Sequence, residues 1–449
     1  MVSEVNRRKL IISVVLLSVA AGVRLIVWQN NAATMSMVQS VVTAGYLRDS
    51  GFLLKGDLHT FVYGEDPPSD ANILAHPPGY PIILAAVQAA FGSASVHVVQ
   101  ILISSLAPVL MFLIGSALFG TRVGVTAGAL GALSPQFAYY SGLILPDDLC
   151  VLPILASLWV LVLARERPQW QLAVICGIAL GLSCWLRSNA LLLPVFVCLG
   201  VLLTRGMSSR FALVILASFL MTIAPITLRN AFVFGSFVPL SVGSGTTFIE
   251  GLGDLDTDGS KGYPKLDEEV MMLDVERLGR PDYYGYLYAP DGILGERERV
   301  GYGLSAVAGH PGWFFKGAAG RGMLIWRLER VPVIARERMG EAAPGSLAAV
   351  LNIPLRLIQS AFITAVFLPL ILLGIGIVLY DREKRGSFWL LAAVPFYYMT
   401  VQPLVHTEYR YLLPASHVLL IFAAVGIVFV WSWIAGKIAS NRDGLAAAE

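Results

Sequence analysis

Charge is what this sequence has least of. Asp, Glu, Lys and Arg together make up 14% of its 449 residues, where a soluble protein carries roughly a quarter. That shortfall excludes an ordinary water-soluble enzyme. Basic clusters are also missing. The formal net charge is only +2, and no run of Lys and Arg is long enough to track a phosphate backbone, so no nucleic-acid partner is expected. The four cysteines, Cys150, Cys176, Cys184 and Cys198, all fall in apolar stretches. They read as small buried hydrophobes rather than a disulfide framework or a metal site. The six histidines (His59, His76, His97, His310, His406, His417) are scattered without zinc-like spacing. Repeats and low-complexity tracts are absent as well.

Apolar sequence fills the space. Hydrophobic residues make up 56% of the chain, mean hydropathy is +0.70, and continuous runs of about 20 residues recur. The fold class is therefore an all-α polytopic membrane protein, and the unbroken runs exclude an alternating β-barrel. A ~20-residue template places about ten spans, near 9–28, 96–118, 123–143, 148–164, 170–186, 190–204, 210–228, 357–380, 387–405 and 411–434. The basic N-terminus before the first span resembles a signal peptide but has no small-x-small cleavage site, so an uncleaved first helix is expected.

Short basic connectors orient this array. Arg7, Arg8 and Lys9 precede the first span, and "GTR" (120–122), "ARERP" (164–168), "TRGMSSR" (204–210), "YDREKRG" (380–386) and "GKIASNR" (436–442) follow alternate spans. The positive-inside rule puts them all in the cytoplasm, with both termini, in a cytoplasmic (plasma) membrane. "PPGYPIILAAVQAAFG" (77–92) would invert that register as a span, so it is read as an interfacial or re-entrant helix. Three parts follow: a transmembrane core over 1–228 with a first outer loop at 29–95, a larger outer subdomain at 229–355, and C-terminal helices with a cytoplasmic tail at 356–449.

Polar residues gather at the outer ends of these spans. "LILPDDLCVLP" (143–153) sets Asp147 and Asp148 side by side before an apolar run. One acid suits a helix N-terminus; two repel unless a cation, an arginine or a hydroxylic ligand compensates them. At the same depth stand His76, Arg187, Arg229, Asn230, His406, Glu408, Arg410 and Tyr411. A single arginine at a helix end is ordinarily snorkelling. Three arginines facing a carboxylate pair instead describe a cavity suited to a phosphate and to a group losing a proton.

In order, "HPPGYPIILAAVQAAFG", "ALFGTRVGVTAGALGALSPQFAYYSGLILPDDL", "GLSCWLRSNALLLP", "TLRNAFVFGSFVPLS", "HPGWFFKGAAGRGMLIW" and "EYRYLLP" resemble the GT-C superfamily of membrane glycosyltransferases. The likeness is to its protein-O-mannosyltransferase, aminoarabinose-transferase and RgtA/B/C/D-like branch, over most of residues 5–435. It implies a GT-C-like bundle and transfer of a sugar from a polyprenyl-phosphate donor to a lipid, glycan or protein acceptor outside the cytoplasm. It also implies that Asp147 and Asp148 are the family's acidic pair between the third and fourth spans. Arg187, Arg229 or Arg410, with Tyr411, would then hold the donor phosphate, and His76, Asn230, His406 and Glu408 would line the acceptor pocket.

The sequence departs from that family in one place. With the A-x-x-L-x-x-x-G pattern at Ala44, Leu47 and Gly51, a principal acid belongs near 32–36, but "NNAATMS" (30–36) has none. Asp49 is the nearest acid, followed by Asp57, Glu65, Asp66 and Asp70. Three readings stand: the acid has moved to Asp49, Asp147 or Asp148 is the base, or the chain binds polyprenyl lipid without catalysing. A transporter or flippase of lipid-linked sugars is the alternative from another class, although the charges lie at the outer boundary and no halves repeat. Asp254, Asp256, Asp258 and Gly259 open an EF-hand-like calcium loop, but Lys265 holds the position of the bidentate Glu. Either Asp267 or Glu268 closes a non-standard loop, or the segment is a solvated acidic turn.

Overall fold

The computed structural model describes residues 2–64, 74–279, 281, 292–328 and 346–446. Glu65, Asp66, Asp70 and the side chain of Asp267 lie outside them. No strand occurs among the described residues; the fold is a bundle of helices.

The chain opens with α1 (Val2–Met35), followed by α2 (Ser40–Leu54), α3 (Leu58–Tyr63) and α4 (Gly79–Phe91). The core continues with α5 (Val96–Ser104), α6 (Leu106–Phe119), α7 (Thr121–Leu133), α8 (Pro135–Ser141), α9 (Val151–Glu166), α10 (Trp170–Leu186), α11 (Leu193–Leu203) and α12 (Ser209–Phe234). The long second outer segment contains α13 (Ser244–Leu255), α14 (Asp267–Leu278), α15 (Gly292–Gly309) and α16 (Pro311–Gly322). The chain ends with α17 (Leu347–Gln359), α18 (Thr364–Tyr380), α19 (Arg385–Thr400) and α20 (Leu413–Ala446).

Four unbroken helices are long and apolar enough to cross a bilayer: Asn6–Met35, Ser93–Phe119, Ser209–Phe234 and Leu413–Ile438. A fifth crossing results if α17 and α18, bent by 54°, count as one. Ten unbroken spans are therefore not found among the described residues. The reason is local. At 1.5 Å per residue, a 16-residue helix such as α9 is shorter than the ~30 Å hydrocarbon layer. The run expected at 123–143 is broken at Ser134, whose side chain caps α8 by accepting the Phe137 N–H, with Pro135 in its first turn. The stretch 77–92, expected as an interfacial or re-entrant helix, forms a short apolar helix, α4.

Small residues let the helices approach. On α10, Gly177 lies against the Ile215 carbonyl and Ser218 of α12, and Gly181 against Thr222; a Cβ at either would collide. Gly374 of α18 and Gly426 of α20 make a second such seam. One continuous apolar core runs through the bundle. A satellite of Leu74, Val238, Val242 and Ile293 joins the two outer segments, and Val242 N–H donates to the Leu74 carbonyl at 2.7 Å. Helix α13 packs against α14, α15 and α16.

Candidate active site

The connector between α8 and α9 carries the paired aspartates, and it does not cap α9. That helix starts at Val151 behind Cys150, with no side-chain cap. Asp147 and Asp148 lie in the preceding turn, closed by Cys150 N–H to the Pro146 carbonyl at 2.9 Å. Both are buried, at 1% and 2% exposure, so a neighbouring charge is needed to keep them ionised. Arg187 supplies it for Asp147: its Nη1 donates to Asp147 Oδ2 at 2.7 Å. The arginine is the residue at which α10 ends and the backbone turns extended, which aims its side chain at the connector.

From Arg187 the charges run in a line. Its guanidinium sits 4.4 Å from the Tyr411 ring centre, and that of Arg410 lies 5.1 Å from the same ring. Arg410 Nη2 donates to Glu408 Oε1 at 2.6 Å and to the Tyr411 hydroxyl at 3.2 Å. His406 stands between two carboxylates, with Nε2 at 3.8 Å from Glu408 and Nδ1 at 2.9 Å from Asp254. Burial lowers the His406 pKa, but the two carboxylates override it and raise it to about 9. Burial works against Glu408 ionisation too, yet Arg410 and His406 hold its pKa well below the usual carboxylate range.

Arg321 of α16 holds this line in place. It donates to the carbonyls of Pro403, at 3.2 Å, and Val405, at 3.0 Å, and also to that of Gly251 in α13. Gly251 has no room for a Cβ against the Val405 carbonyl. The outer layer and the strip carrying His406, Glu408 and Arg410 are thereby joined.

Beside the line lies a small cleft lined by Asp49, Phe52, Phe61, His76, Pro78, Pro81 and Arg229. Arg48 pairs with Asp49 at 2.7 Å. Arg229 Nε donates to Asn230 Oδ1 at 2.9 Å, while its buried Nη2 finds no hydrogen-bond partner among the described residues. Asn230 is not a pocket wall. Its Nδ2 donates to the Val238 and Leu240 carbonyls, which fixes the turn after α12 and so steadies Arg229. His76 stacks on Tyr46, ring centres 4.6 Å apart. Burial first, then the charges of Arg187, Arg410 and Arg48, lower its pKa to about 3, so it is a neutral wall linking the cavity to the charge line. Asp49 pairs with Arg48, and its charge also acts on Arg229, so one carboxylate stands between two arginines at the cleft.

The residues expected from the sequence thus separate into two contiguous groups: Asp49, His76 and Arg229 around the cavity, and Asp147, Arg187, Tyr411, Arg410, Glu408 and His406 along the charge line. Asp148 makes no hydrogen bond or ion pair with either group. The acid-free stretch 30–36 is not a loop start, since α1 runs on to Met35; Asn30 Nδ2 donates to the Ile26 and Ala348 carbonyls, and Asn31 Nδ2 to Val27. Asp57 caps α3 by accepting the Thr60 N–H. The acidic turn is dispersed as well: Asp254 faces His406, Asp256 accepts the Lys261 and Tyr263 N–H groups, and Asp258 accepts that of Ser260. Among the described residues no group of three or more His, Cys, Asp or Glu stands together to hold a metal ion.

Sequence reasoning passed over Arg24, Arg48, Tyr46, Tyr80, Gln100 and Arg321. Tyr80 donates to Gln100 Oε1 at 2.6 Å, and Gln100 Nε2 donates to the Ser141 and Leu143 carbonyls, tying α4 to the aspartate connector. Arg24 had a readable signal, a lone charge inside an apolar run. Arg321 stands in a segment already singled out, 310–326.

Residues 75–228 match the model of the dolichyl-phosphate-mannose-protein mannosyltransferase family. No curated protein matches the chain in sequence. The crystal structure of the Archaeoglobus fulgidus oligosaccharyltransferase with zinc and sulfate superposes with TM-score 0.52 at 16% identity, over 94% of this chain and 50% of that one. Its apo form gives TM-score 0.50 at 15% identity, over 95% and 52%. The ArnT of Cupriavidus metallidurans bound to undecaprenyl phosphate gives 0.36 at 14% identity, over 95% and 80%. The chain therefore spans about half the length of the oligosaccharyltransferase it matches. Over the shared length the chain has the fold of that oligosaccharyltransferase, and its residues 75–228 match the mannosyltransferase family model.

Proposed function

We propose that the chain is a membrane glycosyltransferase that moves a sugar from a polyprenyl-phosphate donor to a hydroxyl-bearing lipid, glycan or protein. The observation that carries this reading is the cleft lined by Asp49 and by Arg229, whose buried Nη2 has no hydrogen-bond partner among the described residues, beside the Asp147–Arg187 pair. Asp49 accepts the proton of the attacking hydroxyl as its oxygen bonds to the anomeric carbon. The bond from that carbon to the phosphate oxygen breaks, and Arg229 takes up the developing charge on the departing polyprenyl phosphate. Because the phosphate leaves readily as an anion, no strong acid is required. Asp147 keeps Arg187 oriented and charged at the cavity edge. The basic connectors support an extracytoplasmic site, with both termini in the cytoplasm of a cytoplasmic-membrane protein.

The test is transfer of labelled hexose from a polyprenyl-phosphate donor by the purified chain in nanodiscs. Asp49→Asn is expected to cut turnover by about 10²–10⁴-fold, and Arg229→Gln to act chiefly on donor affinity. Undiminished turnover in Asp49→Asn sinks the base assignment. A second reading, a polyprenyl-phosphate-binding protein without transfer, is favoured by the helical, acid-free stretch 30–36; donor binding without transfer by the wild type would establish it.

A further inference from the structure

Between α8 and α9 the chain leaves helical geometry while staying buried, so its carbonyls need donors from elsewhere. Side chains supply them for four in a row. Gln100 Nε2 donates to the Ser141 and Leu143 carbonyls. Nδ1 of His97 donates to that of Gly142 at 3.0 Å, and Oγ1 of Thr43 to that of Ile144 at 3.3 Å. His97 and Gln100 are three residues apart, on one face of α5. Asp147 comes three residues after the last carbonyl held, which leaves little chain to take up slack.

Gln100 is the centre of this grip. It is buried, at 4% exposure, and its Oε1 accepts the Tyr80 hydroxyl at 2.6 Å. That hydroxyl decides how the amide is turned. Reversed, the amide would set its oxygen against the two connector carbonyls. Beside Tyr80, a Cβ at Gly79 would collide with the Trp185 carbonyl, two residues before Arg187. The first turn of α4 therefore bears on both halves of the Asp147–Arg187 pair: on the connector through Tyr80 and Gln100, and on the end of α10 through Gly79. Pro78 and Pro81 of the same turn line the cleft. Tyr80 also meets the Tyr46 ring edge-on at 4.9 Å, and Tyr46 carries the stacked His76.

We propose that Gln100, oriented by Tyr80, is a positioning residue for the transfer reaction. It holds the connector so that Asp147 meets Arg187, and the first turn of α4 keeps that pair in register with the cleft. Gln100 itself touches no substrate. Its effect on turnover rests on the function proposed above; its hold on the connector does not.

The experiment takes the full chain in nanodiscs as wild type, Gln100→Met, Tyr80→Phe, Asp147→Asn and the Gln100→Met/Asp147→Asn double variant. Met keeps the length of the side chain but supplies no N–H. Hydrogen exchange reads the grip without any activity. Connector amides 142–150 are expected to exchange at least about tenfold faster in Gln100→Met, with those of α18 unchanged. Unchanged connector exchange, or an equal acceleration in α18, overturns the grip. Tyr80→Phe leaves the amide in place and frees only its orientation, so it is expected to speed the same amides by at least about threefold; it decides the matter should Gln100→Met fail to fold. In the transfer assay Gln100→Met is expected to lose at least about tenfold in kcat with KM for the donor within about twofold. In the Asp147→Asn background the same substitution is expected to cost no more than about twofold, because the residue through which it acts is already gone. A full additive loss in the double variant, or an unchanged kcat in Gln100→Met, overturns the action through Asp147. Absence of transfer in the wild type counts against the proposed function alone, because the exchange still decides the grip.

Discussion

At the scale of single residues, the buried charges differ by what completes them. Asp147 and Arg187 complete each other, so removing one leaves a stranded charge. Asp147→Asn keeps an acceptor for Arg187 but loses the countercharge, and is expected to destabilise the protein by up to about 3–5 kcal/mol, the range for breaking a buried pair. A thermal or denaturant midpoint equal to wild type would show that the pair is not stabilising. Arg229 is different, because it lines the cleft and its buried Nη2 has no hydrogen-bond partner among the described residues. Arg229→Gln should leave stability nearly intact while weakening the phosphate donor by about 10- to 100-fold, the worth of one charge-assisted hydrogen bond. Titration of undecaprenyl phosphate against both proteins reads this directly. Equal affinities would move the phosphate to Arg187 or Arg410.

At the scale of elements, the geometry depends on how the outer layer is tied to the bundle. Arg321 reaches carbonyls on two separate segments, 403–405 and α13. Arg321→Met leaves those carbonyls short of a donor in a buried setting, at about 1–3 kcal/mol for each one left unsatisfied. The variant is expected to turn over more slowly with donor affinity unchanged, since the cavity residues Asp49, His76 and Arg229 are not its contacts. A matched loss of donor affinity would show that the outer layer shapes the cavity as well. The short apolar helix α4 was legible in sequence as a run too short to cross, opening on two prolines. The breaks inside the apolar runs were not, because Ser134 followed by Pro135 caps a new helix without any change in hydropathy.

At the scale of the whole molecule, two histidines set opposite pH limits. His76 has its pKa lowered from 6.5 to about 3 by burial and nearby arginines. Between those values the unfolded chain binds the proton and the folded one does not, so stability falls as the pH drops from 6.5 towards 3. His406 has its pKa raised from 6.5 to about 9 by Asp254 and Glu408, against burial. Its contribution is full below 6.5 and is lost as the pH rises through 9. Together they predict greatest stability near pH 6.5. The alkaline limb should flatten in His406→Gln and the acid limb in His76→Asn, as read by unfolding midpoints across pH. Limbs unchanged in these variants would assign the pH dependence to other groups.

The sequence by itself determined the membrane class and the helical fold, and it singled out Asp147, Arg187, Arg229 and Arg410. Hydropathy and charge are properties of local stretches, and the bilayer reads them locally. Only the tertiary structure decided which charge meets which. It gave Asp147 to Arg187, placed Asp49 and Arg229 on one cleft, and made His406 the link to Asp254 in a different segment. Pairing of buried charges depends on the rotation and approach of helices far apart in the chain. Those are set by side-chain packing and by glycine seams such as Gly177 against α12, which no local stretch encodes.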